Sequence, residues 1–279
     1  MIVRKIIKQF TPPIVERLAR SFSNGDADYF EFCPDAWERG GGEKEEYGWN
    51  VESLVETERE RWETFRRNAA GIGPLGFSHE YEDQAMINSV HFHNVHMTFG
   101  YALALAAMQH PKISVLDYGG SLGHYFLIGK ALLPNVHLDY HVKEVPKMVA
   151  MGRRLNPDVV WHESDECLNR PYDLIMSNGS LDYIQDWKGC VTRFGKSTAR
   201  YVLITRVKVV PSAPTFAALH RSPHGDIAHW QINEMELKEA ARAAGLRLLR
   251  ELVVGDPVPT RGAPDQCVLK GWLFEKESL

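Results

Sequence analysis

The chain has no run of the roughly 20 apolar residues that a membrane-crossing helix needs, and no signal-peptide pattern opens it. Cysteine is scarce: Cys33, Cys167, Cys190 and Cys267 are scattered, with no CxxC pair. That excludes a disulfide framework and a paired-cysteine zinc site, and it fits reduced thiols in a cytoplasmic protein. Charge of neither sign prevails, the net value being −4, so the bulk gives nucleic acid no purchase. Internal repeats and low-complexity tracts are absent as well. What remains is an ordinary globular composition, 44% hydrophobic and 24% charged over 279 residues. This is enough for one large domain, or one domain with an extension.

The first 22 residues differ from the rest. Arg4, Lys5, Lys8, Arg17 and Arg20 stand against a single acid, Glu16. Ile2, Val3, Ile6, Ile7 and Phe10 share one helical face before Pro12-Pro13, and Ile14, Val15, Leu18 and Phe22 share another after it. Such a basic amphipathic segment either docks on the protein's own core or makes peripheral contact with a membrane surface. Docking is the plainer reading.

Residues 23–49 carry Gly40-Gly41-Gly42 and read as irregular structure. From Asn50, a possible N-cap, Val51, Leu54, Val55, Trp62 and Phe65 follow helical spacing up to the Gly71–Pro74 break. Residues 84–109 read as a further helix, closed by His110-Pro111. Beyond Pro111 the rhythm changes. Apolar strand-like runs begin near 113, 137, 158, 172 and 201, with helical patterns at 124–133 and 145–155. A capped helix spans 232–245, stopped by Gly245, and two strands (246–254 and 266–276) close the chain. Alternating strands and helices imply a parallel sheet covered on both faces, whereas the last two strands, joined without a helix, must be antiparallel. The expected fold is therefore α/β: a doubly wound, seven-stranded, mostly parallel sheet with its last strand reversed. A helical N-terminal extension and acceptor-side cap (1–110) precedes it, leaving 111–279 as the α/β domain.

The stretch ISVLDYGGSLGHYF (113–126) holds the ligand signal. Gly119 and Gly120 permit a tight turn and close backbone approach, and Gly123 opens the next helix with its free N–H groups. A dinucleotide fingerprint has no acid just before its glycines, where a pyrophosphate would meet it. Asp117 occupies that place and suits a ligand bearing an ammonium group, as S-adenosylmethionine does. Glu144, twenty-one residues after Gly123, stands near the spacing at which an acid holds ribose hydroxyls. Asp165, past the third strand, is placed to receive an adenine amino group.

These residues resemble the class I S-adenosylmethionine-dependent methyltransferases. VLDYGGSLG is similar to their first motif, and YDLIMSNGSLDYI (172–184) to the segment around their fourth strand. The Pro-Pro-containing basic start, FHNVHMTFGYALA (92–104) and LDYGGSLG also resemble a family of methyltransferases from bacterial surface-polysaccharide gene clusters. The resemblance implies a Rossmann-like methyltransferase domain over 111–279. Its cofactor site would comprise Asp117, Gly119, Gly120, Ser121, Gly123, Glu144, Asp165 and Asn178. Ser121 departs from the usual pattern, since a glycine is expected in its place. Either the loop keeps φ negative there, with Gly120 supplying flexibility, or the cofactor rides higher and meets the hydroxyl.

Methyl transfer to an alcohol requires a base near the methyl group. Asn178, Ser180, Asp182 and Tyr183 follow the fourth strand, at the methyl end of the site. On a helix, His93 and His96 share a face while His91 points elsewhere. With an outside carboxylate that pair could ligate a metal, but a polar face lining the cap is the plainer reading and no metal is expected. The connection 209–233 is too long and too rich in Pro, Gly and His for a plain linker, so it reads as an acceptor-side lid carrying His220, Arg221, His224 and His229. The expected base is His229, then His93, then Asp182. His96, Tyr183 and Arg221 are expected to touch the acceptor, with Arg221 holding an anionic group. His124 is expected to pack over the cofactor. The function so read is methyl transfer to a hydroxyl or amine of a sugar or other small acceptor. An NAD-dependent oxidoreductase and a non-catalytic methyltransferase-like scaffold are the alternatives.

Overall fold

A short hairpin splices a second, smaller sheet onto an open parallel one, and the seam between them frames a large cavity. The computed structural model describes residues 29–40, 48–80, 88–108 and 110–277. The basic segment 1–22 and its membrane reading lie outside them.

The elements run β1 (Tyr29–Phe32), α1 (Ala36–Gly40), α2 (Glu52–Ala70), α3 (Val90–Ala107), β2 (Lys112–Tyr118), α4 (His124–Leu132) and β3 (His137–Lys143). They continue with α5 (Pro146–Leu155), β4 (Val160–His162), β5 (Tyr172–Asn178), α6 (Trp187–Ser197), β6 (Thr198–Val210), β7 (Phe216–Ser222) and β8 (Gly225–Asn233). The last are α7 (Glu234–Ala243), β9 (Leu246–Val258), β10 (Thr260–Arg261) and β11 (Cys267–Lys276).

The main sheet has the order β4-β3-β2-β5-β6-β11-β9. Strands β4, β3, β2, β5 and β6 are mutually parallel, and β11 runs antiparallel to both β6 and β9. The seven-stranded, doubly wound arrangement with a reversed last strand is therefore present. The chain winds outward from β2 in one direction through β3 and β4, and in the other through β5 and β6. This puts the topological switch point at the carboxyl ends of β2 and β5, where ligands of such sheets sit. Both faces of β2 are covered: Val115 and Leu116 are buried on opposite sides.

Helix α2 buries Val55, Glu58, Trp62, Phe65 and Ala69, a stripe at spacings of three and four. It shares its core with α3, α4 and the sheet, Phe65 and Phe99 joining one apolar cluster with Val115 and Tyr140. Asn50 does not cap its own helix. Val51 takes the N-cap position, and Asn50 Oδ1 accepts the Lys147 N–H at 3.0 Å, capping α5 from outside. In α7, Asn233 does cap its own helix, accepting from the Met235 and Glu236 N–H groups, and Gly245 ends the segment at φ +73°.

Residues 23–49, read as irregular, hold β1 and α1 within the region read as a helical extension. The connection 209–233, read as an acceptor-side lid, folds as the β7–β8 hairpin, with Leu219 paired to Ala228. Strand β1 adds to β7, Phe30 facing His220, and β10 adds to β1. Strand β8 joins the end of β6 in parallel at Val209 and Ile232. So β6 forks, its middle pairing with β11 and its end with the smaller sheet. Helix α6, between β5 and β6, carried no sequence expectation of its own. All four cysteines are buried and unpaired. No helix among the described residues is long and apolar enough to cross a membrane.

Candidate active site

A cavity of about 580 Å³ opens over the carboxyl ends of β2, β3 and β5. One wall is the turn between β2 and α4. Gly119 takes φ +78°, Ser121 +50° and Gly123 +76°, so of the two alternatives at Ser121 the negative-φ one does not hold. Serine is held in the left-handed region, at a cost of about 1 kcal/mol or more. The loop is braced for it: Ser121 N–H donates to Glu144 Oε1 at 3.1 Å and Ser121 Oγ to Glu58 Oε2 at 3.3 Å.

Gly120 does not take positive φ. Its lack of a side chain is needed for space, since a Cβ there would lie 2.5 Å from Asp117 Oδ2. At Gly119 a Cβ would lie 2.4 Å from that of Ser180. Ser180 donates to the Tyr118 carbonyl at 2.6 Å, so it braces the loop from the β5 side.

Asp117 is 1% exposed and accepts the Tyr140 hydroxyl at 3.0 Å. Burial, opposed by that hydrogen bond and reinforced by the Glu144 charge, pushes its carboxyl up to about 7. The site thus holds a buried carboxylate without a cation, directly under the loop. Glu144 takes N–H groups from Ser121 and, at 2.6 Å, Val145, and it too is raised by burial. Asn178 donates to the Tyr125 hydroxyl at 2.7 Å, and its buried Oδ1 has no hydrogen-bond partner among the described residues. Asp117, Gly119, Gly120, Ser121, Glu144 and Asn178 all line the cavity.

Asp165 does not. Its oxygens accept the Tyr118 hydroxyl at 2.6 Å and Arg193 at 3.0 Å, with Lys143 at 3.8 Å. An acid so engaged is a poor receiver for an adenine amino group. Gly123 is absent from the lining and serves as N-cap of α4.

The opposite wall comes from the smaller sheet and its seam: Phe30, Trp49, Tyr183, Lys208 and His220. Trp49 meets Tyr183 edge to face at 5.1 Å. The Tyr183 hydroxyl lies 3.1 Å from His220 Nδ1 and accepts from Lys208 Nζ at 3.2 Å. Lys208 in turn donates to Asp182 Oδ2 at 2.9 Å. Burial works against the Lys208 charge, but the Asp182 carboxylate and Tyr183 override it and hold the ammonium above the ordinary lysine range.

Three residues expected as bases stand elsewhere. His229 is fully buried behind Tyr183 and Phe30, and burial drives its imidazole well below the usual range. Asp182 is fully buried and committed to Lys208, off the cavity. His93 does not line the cavity either.

The acceptor-side expectations divide. Tyr183 lines the cavity. His96 is buried, donates Nδ1–H to the Leu75 carbonyl at 2.7 Å, supports Tyr125 from behind and is lowered by burial to about 4. Arg221 faces away, bound to Glu31 at 2.9 Å and to Asp226. The reason is strand geometry: neighbours on a strand face opposite sides, and His220 takes the cavity side. His124 does reach the cavity.

Sequence reasoning overlooked Glu58, His79, Glu80, Arg206, Lys208 and the choice of His220 over its neighbours. Two signals were available. Glu58 interrupts the apolar stripe of α2, and Arg206 and Lys208 sit two apart in the otherwise buried run YVLITRVKVV. Arg206 holds φ +57° and grips Glu80 at 2.5 and 3.0 Å. Against the effect of burial, that guanidinium takes the Glu80 carboxyl down to about 2.

No family model and no curated protein matches the chain. Solved structures are similar to it at low identity. One is an S-adenosylmethionine-dependent methyltransferase from Clostridium acetobutylicum, at 10% identity over 66% of this chain and 92% of that one, with a TM-score of 0.43. An amino pentose methyltransferase from Micromonospora echinaspora, with S-adenosylmethionine bound, is 12% identical over 66% and 91%, with a TM-score of 0.43. Magnesium protoporphyrin IX methyltransferase from Synechocystis, with S-adenosylhomocysteine bound, is 13% identical over 80% and 96%, with a TM-score of 0.47.

Proposed function

We propose that this chain is an enzyme that transfers a methyl group from S-adenosylmethionine to a hydroxyl or amine of a small acceptor, most specifically a sugar. One observation carries the reading: two carboxyl groups, the buried Asp117 and the half-buried Glu144, converge on one glycine turn at the switch point of the sheet. A pyrophosphate would meet both as repulsive neighbours. A ligand with an ammonium group and ribose hydroxyls gives Asp117 its missing cation and Glu144 its donors, and the space left by Gly120 lets it approach. Asn178 Oδ1 offers a further acceptor.

S-adenosylmethionine, when bound, supplies an electrophilic sulfonium methyl. Trp49, Tyr183 and Phe30 present aromatic surface to a flat or ring-shaped acceptor. His220 is the base, taking the acceptor's proton as the acceptor oxygen or nitrogen bonds to the methyl carbon and the methyl–sulfur bond breaks, with S-adenosylhomocysteine as the leaving group. Tyr183, fixed by Lys208, orients its imidazole through the 3.1 Å contact. The sugar rests on the resemblance of LDYGGSLG and FHNVHMTFGYALA to the polysaccharide-cluster family and on this aromatic wall.

Calorimetric titration of the wild type and Asp117→Ala with S-adenosylhomocysteine and with NAD tests the assignment. Binding of the first alone, lost or greatly weakened in the variant, is expected. Tight NAD binding, or S-adenosylhomocysteine binding indifferent to Asp117, would overturn it. Binding without transfer to any sugar or amino sugar would leave the scaffold reading standing.

A further inference from the structure

Among the described residues, one trio of side chains has the composition and spacing of a metal site: Glu58 of α2, His79 in the segment after it, and His124 at the start of α4. One ligand atom from each lies within 4.8 Å of the other two, and all three residues line the cavity beside Ser121. Methyl transfer as argued above uses none of them.

His124 makes the case. It is 1% exposed, yet neither ring nitrogen has a hydrogen-bond partner. Phe65 and Trp62 pack on its ring at 4.6 and 5.3 Å, and His79 stacks on it at 4.1 Å. A buried imidazole with both nitrogens unsatisfied is costly, and most native polar groups avoid that condition. Glu58 Oε2 stands 3.8 Å from His124 Nε2. That side chain is 6% exposed, and the Ser121 hydroxyl donates to Oε2 at 3.3 Å. A nearly buried carboxyl group facing a buried imidazole that has no hydrogen-bond partner is a pair that a divalent ion relieves.

We propose that Glu58, His79 and His124 bind one divalent transition-metal ion of the zinc or cobalt class, its remaining positions facing the cavity. Two imidazoles and a carboxylate are a ligand set for catalytic zinc that leaves a position open. Ligand atoms about 2.1 Å from a tetrahedral centre lie about 3.4 Å apart. The 3.8 Å pair is nearly there, and His79, half-buried and stacked on His124, has to turn out of that stack to bring a ring nitrogen to the same ion. An open position on that wall would take an oxygen of the cofactor or the acceptor. The trio would bind metal whether or not the protein transfers methyl groups.

Full-length protein stripped with a chelator, free of any cofactor, is titrated with Co²⁺ and followed by its visible absorption, then challenged with Zn²⁺. One saturable site per chain, displaced by Zn²⁺, is expected. His124→Ala, His79→Ala and Glu58→Gln should each weaken it by about 100-fold or more. His141→Ala, at the β3–β4 edge beside His162, should leave it unchanged. His79 is half-buried, so its variant keeps the test valid if His124→Ala does not fold, with thermal melting reporting the fold of each. No saturable uptake by the wild type, or uptake that His79→Ala and Glu58→Gln leave within about threefold, overturns the proposal. Since no cofactor is present, neither result depends on S-adenosylhomocysteine binding.

Discussion

Asp117 lies directly under Gly120, so close that a methyl group on Gly120 would sit 2.5 Å from the buried carboxylate. The carboxylate is 1% exposed and held by Tyr140, so it has no free direction in which to retreat. Gly120→Ala therefore strains the loop rather than the side chain. We expect a loss of about 1–3 kcal/mol in stability, the usual cost of overpacking, and loss of S-adenosylhomocysteine binding. Chemical denaturation with calorimetry checks both, and unchanged affinity would count against this geometry.

The same carboxyl sets a pH dependence. Its folded value of about 7 is above the roughly 3.9 of an unfolded chain. The folded state thus binds the proton more tightly. Stability from this group is full below the unfolded value and is lost as pH rises toward and through 7. Asp117→Asn removes the effect. The unliganded variant should melt close to the wild type at pH 5 and several degrees above it at pH 8, while failing to bind S-adenosylhomocysteine. In the wild type, a ligand ammonium favours the ionised carboxyl, so affinity should rise from pH 6 to pH 8.

Ser121 tests how tightly the loop conformation is set. At φ +50° glycine carries no steric penalty, so Ser121→Gly should keep S-adenosylhomocysteine affinity within about threefold, losing only the hydroxyl bond to Glu58. Ser121→Leu puts a bulky side chain at the same left-handed residue, in the space between the loop and Glu58. Binding should be abolished there, as calorimetry would show.

The strand–helix alternation from β2 onward was legible because each strand of a covered parallel sheet is a short apolar run between breaks. The reversed final strand was legible too, since no helix separates β9 from β11. The wall beside the glycine turn drew most of its expected residues from local sequence, because they come from one turn and the ends of β3 and β5. The acceptor wall did not. Its residues come from β1, β6, β7 and the turn at Leu181–Tyr183, brought together by a hairpin whose histidines all look alike in sequence. Which of His220, His224 and His229 faces the cavity depends on strand register, and a shift of one residue reverses every side chain. Asp182 failed as a base for a related reason: its partner Lys208 lies 26 residues away on another strand.

His220 should carry the chemistry without holding the cofactor. His220→Ala should lower turnover by about 10²- to 10⁴-fold, the usual share of a general base, with S-adenosylhomocysteine affinity unchanged. Tyr183→Phe should have a smaller effect, because it removes only the hydroxyl that orients the imidazole. Steady-state rates with whichever sugar or amino sugar the wild type methylates decide this. A cofactor affinity that falls along with the rate would place His220 in the wrong role.

Lys208 and Asp182 form the pair on which the acceptor wall rests. Both are nearly fully buried, at 7% and 0% exposure. Removing one partner strands a nearly buried charge, which costs about 3–5 kcal/mol, whereas replacing both with apolar residues is often close to neutral. Asp182→Ala should therefore be strongly destabilised, and Lys208→Met similarly so. The double variant Asp182→Leu/Lys208→Met should recover most of the loss in denaturant unfolding. It should still be catalytically impaired, because Tyr183 then loses the ammonium that fixes its hydroxyl toward His220. Additive single-variant losses would show that the pair is not coupled, and full activity in the double variant would remove Lys208 from the acceptor wall.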